Sequence, residues 1–187
     1  MVTLNKISKE EREAKVMYEN SASFYHDYRT KINPEGWFFN EFLEMPATLE
    51  LLGNVKGKKV LDYGCGSGIY LKLLKERGAN IKGFDISEEM LKIAKKNNLG
   101  VELKQGSGYH IPFKEKFDII LSSLVVHYMN DWDKIFKEMA RVLNKGGEIV
   151  FFTGNPVYEV NKNMLVKGKK YKVLGINDYF KEKVLGS

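Results

Sequence analysis

The chain has 187 residues, of which 43% are hydrophobic and 29% are charged, and its formal net charge at pH 7 is +6. These values are ordinary for one globular domain with a hydrophobic core, and no apolar run is long enough to span a bilayer. The one cysteine, Cys65, excludes a disulfide framework and a cysteine-based metal site, so we expect no metal and a cytoplasmic protein. Lysines are frequent in the C-terminal tail, but no arginine-rich or aromatic-interleaved motif accompanies them, which favours a solvated surface over nucleic-acid binding.

The N-terminal segment has no strand pattern. Ser8-Lys9-Glu10-Glu11 fits a capping box, which predicts a helix from there to about Tyr18. After an aromatic-rich stretch, a second helix is predicted from Trp37 to Leu52, with a break near Pro46. We therefore expect residues 1–55 to form a helical cap beside or over the next segment.

The first predicted strand leads into a glycine turn. An apolar run is followed by Gly64, Gly66 and Gly68, and then by an amphipathic helix predicted from Ile69 to about Arg77. Such a turn lets the backbone approach a ligand closely and aims N–H groups of the helix start at it. Asp62, at the strand end, suits a ligand with cationic or hydroxyl groups.

Two classes of ligand use a glycine turn in this position. Dinucleotide sites have the pattern G-x-G-x-x-G, whereas this chain has G-x-G-x-G preceded by an acid. Asp85 ends the next predicted strand, roughly twenty residues after the first glycine, and an acid at this spacing binds ribose hydroxyls. The alternative for Asp85 is a carboxylate at the start of a helix that Ser87 caps. Both ligand classes imply a nucleoside.

Strands and helices alternate through the rest of the core. The predicted elements are a helix over 87–97, a short strand over 101–104, a glycine-rich loop over 106–113 and an apolar strand over 117–122. Asp131 is expected to cap a further helix, and a glycine turn then leads to a fifth strand. The alternation predicts an α/β fold with a doubly wound, Rossmann-like, mostly parallel sheet and N-terminal helices.

Three of these patterns resemble the class I S-adenosylmethionine (SAM)-dependent methyltransferases, in the type 11-like branch that acts on small molecules. Asp62 to Gly68 resembles motif I, 117–128 resembles motif IV, and Leu143-Asn144-Lys145-Gly146-Gly147 before a strand resembles a third shared phrase. The resemblance implies SAM as the cofactor and the strand order 3-2-1-4-5, followed by a C-terminal hairpin. Little sequence remains for that hairpin, so we expect it to be shortened or absent.

The resemblance also implies the residues of the site. The cofactor-binding candidates are Asp62, Gly64, Cys65, Gly66, Gly68, Asp85, Ile86, Met90, Ser107 and Ser122. Ser107 stands where the family has an aspartate that contacts the adenine amino group, so this contact is expected to lack its charge. In the family the lid comes from the N-terminal segment, which makes Tyr25 and Trp37 candidates for the substrate pocket. His127 is a candidate general base or polar pocket wall, and a helix-packing histidine is the open alternative.

We expect one methyltransferase domain over 1–187, with the SAM-binding core at 56–155 and a shortened tail at 156–187. Asn155-Pro156-Val157-Tyr158 resembles the tetrapeptide of enzymes that methylate amino groups of bases, but it lacks the second proline and follows the fifth strand, so we interpret it as a turn. A fifth strand without its hairpin leaves an open sheet edge. The tail, or a second copy of the chain in a homodimer, is expected to cover it.

The predicted function is methyl transfer from SAM to a small-molecule acceptor by in-line attack. One alternative is a protein that binds SAM or S-adenosylhomocysteine with little turnover, which the short C-terminus and Ser107 suggest. The other is a nucleotide-dependent oxidoreductase, which the glycine spacing disfavours. No motif specifies the acceptor or the atom that is methylated.

Overall fold

The computed structural model describes residues 7–31 and 40–153. The helices are α1 (Lys9–Thr30), α2 (Met45–Leu52), α3 (Ile69–Glu76), α4 (Glu88–Asn97) and α5 (Trp132–Val142), with a π-helical turn at Asn40–Glu44 and a 3-10 turn at Val126–Tyr128. The strands are β1 (Lys59–Tyr63), β2 (Asn80–Asp85), β3 (Glu102–Gln105), β4 (Phe117–Ser123) and β5 (Leu143–Phe152). Trp37, the tetrapeptide at 155–158 and the tail at 156–187 lie outside the described residues.

The five strands form one sheet in the order β3-β2-β1-β4-β5, and each neighbouring pair is parallel. This confirms the predicted fold and strand order. Strand β4, which lies between β1 and β5, is buried on both faces, since Ile119 and Leu121 belong to one hydrophobic cluster and Ile120 to the other. Because all strands run the same way, their carboxyl ends meet at one edge of the sheet, which is where open α/β sheets bind ligands.

Helix α1 is longer than the sequence analysis predicted. Its N-terminus has the expected capping box of Ser8 and Glu11, but the helix continues past Tyr18 to Thr30, and Lys31 ends it in an extended conformation. The predicted end was wrong because the aromatic residues after Tyr18 continue the helix and no glycine or proline interrupts it before Pro34. Near Pro46 the structure has a second helix start and not a break, since the π-helical turn that ends at Glu44 leads directly into α2 and Pro46 lies in the first turn of α2.

Side chains of α1 hold it against the helix and loops at the carboxyl edge of the sheet. The Glu19 carboxylate accepts hydrogen bonds from the backbone N–H groups of Glu88 (3.0 Å) and Glu89 (3.2 Å), at the N-terminus of α4. An anionic group is favourable there because it satisfies free N–H groups and complements the helix dipole. The hydroxyl groups of Tyr18 and Tyr128 lie 2.9 Å apart. The N-terminal helix is therefore part of the ligand-binding edge.

Gly68 makes helix packing possible after the glycine turn. Its φ is +86°, and an added Cβ would collide with the Asn98 side-chain amide and lie 3.1 Å from the Ala94 Cβ. We expect Gly68→Ala to lower the free energy of unfolding by about 3 kcal/mol, through left-handed strain and overpacking. Gly57→Ala is the matched control, because Gly57 has φ +75° but nothing within 4 Å of the added Cβ. Urea unfolding should show a loss of about 1 kcal/mol for the control; equal losses in the two variants would contradict the packing argument.

Strand β5 is the last strand of the sheet in the part of the chain that the structure describes. The prediction that the tail or a second copy covers its edge stays a prediction. No helix within the described ranges has the length and hydrophobicity needed to cross a membrane.

Candidate active site

The glycine turn between β1 and α3 is built from left-handed backbone. Gly64, Gly66 and Gly68 have φ values of +74°, +51° and +86°. Only glycine adopts these values without strain. Gly64 also packs tightly, since an added Cβ would lie 2.5 Å from a methyl group of Val125. The alternation of glycines seen in the sequence is thus a requirement of the turn.

Asp85 ties the end of β2 to this turn. Its carboxylate accepts hydrogen bonds from the N–H groups of Gly66 and Ser87, each at 2.8 Å. Burial raises the pKa of Asp85, while these two hydrogen bonds act in the opposite direction. Each carboxylate oxygen keeps a further acceptor site. Asp85 is therefore held in a fixed orientation with capacity for ligand hydroxyl groups.

A cavity of about 650 Å³, here called the main cavity, lies over the carboxyl ends of the strands. It is lined by Glu11, Ala14, Tyr18, Tyr25, Tyr63, Gly64, Gly66, Phe84, Asp85, Ile86, Met90, Gly106, Gly108, Ser123, Leu124, Val125, Tyr128 and Met129. The lining combines α1 with the ends of β1, β2 and β4 and the loop after β3, so no single segment of the sequence contains it.

Leu124 marks the wall formed after β4. It is the one non-glycine residue with positive φ in the described part of the chain, at +57°, and its N–H donates to the Phe152 carbonyl at 2.7 Å. A left-handed leucine costs about 1–2 kcal/mol, and such strain is concentrated at functional sites.

A second cavity of about 370 Å³, the side pocket, adjoins the main cavity. The two share Tyr25, Gly64, Gly66 and Ser123. Asp62 and Arg29 also line the side pocket. The Asp62 Oδ2 and the Arg29 Nε are buried and have no hydrogen-bond partner among the described residues. One pocket thus contains an unpaired acceptor on an acid and an unpaired donor on a base.

The charge state of Asp62 depends on what fills this pocket. Burial, followed by the negative charges of Asp85 and Glu44, raises the pKa of Asp62 to about 8. A cation beside Asp62 would favour its ionised form and lower that pKa. Burial also raises the pKa of the Cys65 thiol, which argues against a thiolate nucleophile.

Glu44 forms an ion pair with Arg29 at the side pocket. It is fully buried, and its Oε1 accepts from the hydroxyl groups of Tyr70 and Ser123, each at 2.6 Å. Its Oε2 lies 3.5 Å from Nη2 of Arg29, and the Arg29 Nη1 donates to the Tyr25 hydroxyl at 3.1 Å. These contacts join α1, the π-helical turn, α3 and β4 at the side pocket.

The structure places the predicted site residues in three groups. Those that line the main cavity or the side pocket are Tyr25, Asp62, Gly64, Cys65, Gly66, Asp85, Ile86 and Met90. Gly68, Ser107 and Ser122 are buried or packed beside the cavities and line neither of them, since Gly68 contacts α4 and Ser122 faces away from its neighbour Ser123. His127 is exposed on the 3-10 turn and lines neither cavity.

Sequence reasoning missed Glu11, Tyr18, Arg29, Glu44 and Ser123. Glu11 had been assigned only a capping role, and Arg29 and Glu44 lie in a segment with no diagnostic motif. For Glu11, Arg29 and Glu44 the one signal in the sequence is a charged side chain within a helical pattern, and such a side chain ordinarily indicates a solvated face.

The arrangement fits an elongated ligand with a nucleoside at one end and an amino acid at the other. Asp85 suits ribose hydroxyls, and the unpaired Asp62 and Arg29 atoms suit an ammonium and a carboxylate, respectively. SAM has both of these parts, and the residues that suit them line two cavities with shared walls.

Comparison with known proteins identifies the family. Residues 61–151 match the family model described as a methyltransferase domain. The crystal structure of an S-adenosylmethionine-dependent methyltransferase from Mesorhizobium loti is 34% identical, covers 62% of this chain and 55% of its own, and superposes with a TM-score of 0.58. Residues 61–151 thus form a methyltransferase domain of the class I SAM-dependent type.

Two curated relatives show how far the likeness extends. An uncharacterized protein of Haemophilus influenzae is 34% identical over 79% of this chain and 62% of its own length. A ubiquinone biosynthesis O-methyltransferase of Pelagibacter ubique is 35% identical over 54% of this chain and 44% of its own. The chain thus spans about half the length of the curated relatives that it matches. The matched region has the fold and the family pattern of SAM-dependent methyltransferases.

Proposed function

We propose that this methyltransferase transfers the methyl group of SAM to a small-molecule acceptor. The observation that carries the proposal is that the main cavity and the side pocket share four lining residues, because this sets Asp85 in one cavity beside Asp62 and Arg29 in the other. The name of the Pelagibacter ubique relative, a ubiquinone biosynthesis O-methyltransferase, supports a small-molecule acceptor.

Each part of the cofactor has a residue whose chemistry matches it. In the proposal Asp85 accepts from the ribose hydroxyls, and Ile86 and Met90 contact the base. Asp62 binds the ammonium and Arg29 the carboxylate of the methionine part, while Gly64 and Gly66 let the ligand lie close to the backbone.

Bound SAM supplies a methyl group made electrophilic by a sulfonium. The residues of this chain then have to hold the acceptor near that group and exclude water, and positioning of this kind supplies much of the rate in transfer reactions. Tyr18, Tyr25 and Tyr128 line the acceptor side, with Tyr18 perpendicular to Tyr25 and Tyr128 at ring-centroid distances of 5.5 and 5.9 Å. This wall suits an acceptor with an apolar or flat portion.

Proton removal is not assigned to these tyrosines. Burial and the hydrogen bond to Tyr128 raise the pKa of Tyr18 well above its usual range, so its hydroxyl stays protonated at neutral pH. The His127 ring lies against the Tyr128 ring, at a centroid distance of 4.2 Å, and His127 does not line the main cavity. Its role as a general base stays a prediction.

Calorimetric titration with SAM, S-adenosylhomocysteine and NAD tests the cofactor part of the proposal. We expect binding of the first two and none of NAD, because the side pocket has an acid where a dinucleotide site has helix N–H groups for a pyrophosphate. Binding of NAD alone would overturn it. Turnover of bound SAM with a panel of small acceptors then distinguishes methyl transfer from binding without turnover.

Asp85→Ala tests the ribose assignment. We expect affinity for S-adenosylhomocysteine to fall by about 1–3 kcal/mol, because the hydroxyl acceptors are lost and the Gly66 N–H is left without its partner. Asp118→Ala is the control, since Asp118 also accepts a backbone N–H, that of Lys59 at 2.8 Å, but lies at the amino end of β4, away from both cavities. Unchanged affinity in Asp85→Ala would remove the assignment.

A further inference from the structure

Resting on the proposed function, we propose that Glu11 and Tyr63 read the Watson–Crick edge of the cofactor's adenine. In this arrangement the Glu11 carboxylate accepts from the exocyclic amino group, and the Tyr63 hydroxyl donates to the neighbouring ring nitrogen. The first residue comes from the N-terminal helix and the second from the end of β1, and neither belongs to the glycine turn.

The order of the strands places the base. The side pocket lies at the ends of β1 and β4, where Asp62 and Ser123 are found, and Asp85 lies at the end of the adjacent strand β2. A ligand with its amino acid in the side pocket and its ribose at Asp85 must extend its base toward the end of β3. The loop after β3 begins at Gly106, whose N–H donates to the Asp85 carbonyl at 3.0 Å. The base therefore lies beside 106–108.

Glu11 is held at that loop by two hydrogen bonds. Its Oε1 accepts from the Ser107 hydroxyl at 2.6 Å and from the Gly108 N–H at 2.9 Å. Its Oε2 accepts from the Ser8 N–H at 3.1 Å and keeps one acceptor site, because a carboxylate offers about four in all. The side chain is 1% exposed and lines the main cavity. A buried acid is thus positioned beside the base with capacity for one more donor.

Tyr63 supplies the complementary group at the same loop. Its side chain is fully buried and lines the main cavity, and its hydroxyl has no hydrogen-bond partner among the described residues. The hydroxyl lies against Gly108, where any side chain would collide with it. Leaving a buried hydroxyl without a partner destabilises the protein, and an acceptor on the ligand would remove that cost.

The pair matches adenine, whereas Glu11 mismatches the 6-oxo analogue of adenine. Adenine presents an amino donor beside a ring-nitrogen acceptor, whereas hypoxanthine presents a carbonyl acceptor beside a ring N–H donor. A carboxylate facing that carbonyl leaves two buried acceptors without a donor, whereas the Tyr63 hydroxyl can also accept from that N–H, so the discrimination against the 6-oxo base comes from Glu11. Ser107 has a positioning role, since its hydroxyl donates to Glu11 and accepts from the Tyr109 N–H at 3.1 Å.

The test compares S-adenosylhomocysteine with S-inosylhomocysteine by calorimetry. The unmodified protein should prefer the adenosyl ligand by about 100-fold, and Glu11→Gln should narrow that preference to below about 10-fold, because a glutamine amide can donate to the 6-oxo group. Glu19→Gln is the control, since Glu19 also fixes α1 but lines neither cavity. If Glu11 only holds α1 in place, both variants will weaken both ligands equally, and the inference is overturned.

A second variant keeps the proposal testable should Glu11→Gln fold poorly. Tyr63→Phe retains the ring and should bind S-adenosylhomocysteine about 10-fold more weakly, while its affinity for the 1-deaza analogue, which has no ring-nitrogen acceptor, should stay unchanged. Equal losses for both ligands would contradict the role of Tyr63. If the unmodified protein binds the adenosyl ligand without discriminating, only this inference fails; if it binds neither ligand, the proposed function fails as well.

Discussion

Asp62→Asn is expected to stabilise the ligand-free protein increasingly as the pH rises from 5 to 8, by about 3 kcal/mol over that interval. In the unfolded chain Asp62 ionises near its ordinary pKa of 3.8, whereas in the folded protein burial and neighbouring carboxylates raise its pKa to about 8. Between these values the folded state retains a proton that the unfolded state has released. The free energy of unfolding therefore falls as the pH rises through this window and levels off above it.

Urea unfolding at pH 5, 6.5 and 8 measures this effect. The relevant quantity is the difference in free energy of unfolding between the variant and the unmodified protein, and how that difference changes with pH. Asp118→Asn is the matched control. A hydrogen bond from the Lys59 N–H lowers the pKa of Asp118, so it is ionised in both states above pH 5 and its difference should stay flat. If the difference in free energy of unfolding for Asp62→Asn is also independent of pH, Asp62 is ionised in the free protein and the argument fails.

The same substitution should weaken binding of S-adenosylhomocysteine. A ligand ammonium favours the ionised carboxylate, so binding to the unmodified protein should release a proton below pH 8 and tighten by up to about tenfold per pH unit. Asp62→Asn should lose both the affinity and this part of its pH dependence, although it stabilises the free protein. Calorimetry in buffers of different ionisation enthalpy measures the proton release.

Arg29→Met is expected to destabilise the protein by about 3 kcal/mol, because it leaves the Glu44 carboxylate buried without its cationic partner. Both side chains are well buried, at 8% and 0% exposure, so solvent does not screen the loss. The double variant Arg29→Met with Glu44→Gln should recover most of that stability. The neutral amide keeps an acceptor for Tyr70 and Ser123 but introduces no uncompensated charge.

Ligand binding separates the two roles of Arg29. Both the single and the double variant should bind S-adenosylhomocysteine about 10-fold or more weakly, since each lacks the Arg29 guanidinium that donates to the carboxylate of the ligand. Their affinity for 5′-methylthioadenosine, which has no amino acid part, should match that of the unmodified protein. Parallel losses for both ligands would show that Arg29 acts on the site only through the fold.

Much of the fold was predictable because it depends on local patterns. Apolar runs for β1 and β4, the caps at Ser87 and Asp131, and the alternating glycines are each read within a few residues of sequence. The end of α1 was not predictable from local patterns, because the aromatic residues after Tyr18 suit either a helix or an irregular lid. Their packing decides between the two. The glycine turn and Asp85 were found for the same reason as the strands, since both follow a strand end directly.

The sequence by itself determined the sheet and the acid at each of two strand ends, because these features follow from periodicity and from backbone angles that only glycine adopts freely. The family followed from the resemblance of its motifs. The tertiary structure alone decided that Glu11, Arg29 and Glu44 reach the site, since the partners that hold them there, unlike their local ones, lie between 15 and 97 residues away along the chain. It also turned Ser123, not Ser122, toward the cavities, because neighbouring residues of a strand face opposite sides. Charges are brought into a buried pocket by packing between distant segments, and no local pattern encodes that contact.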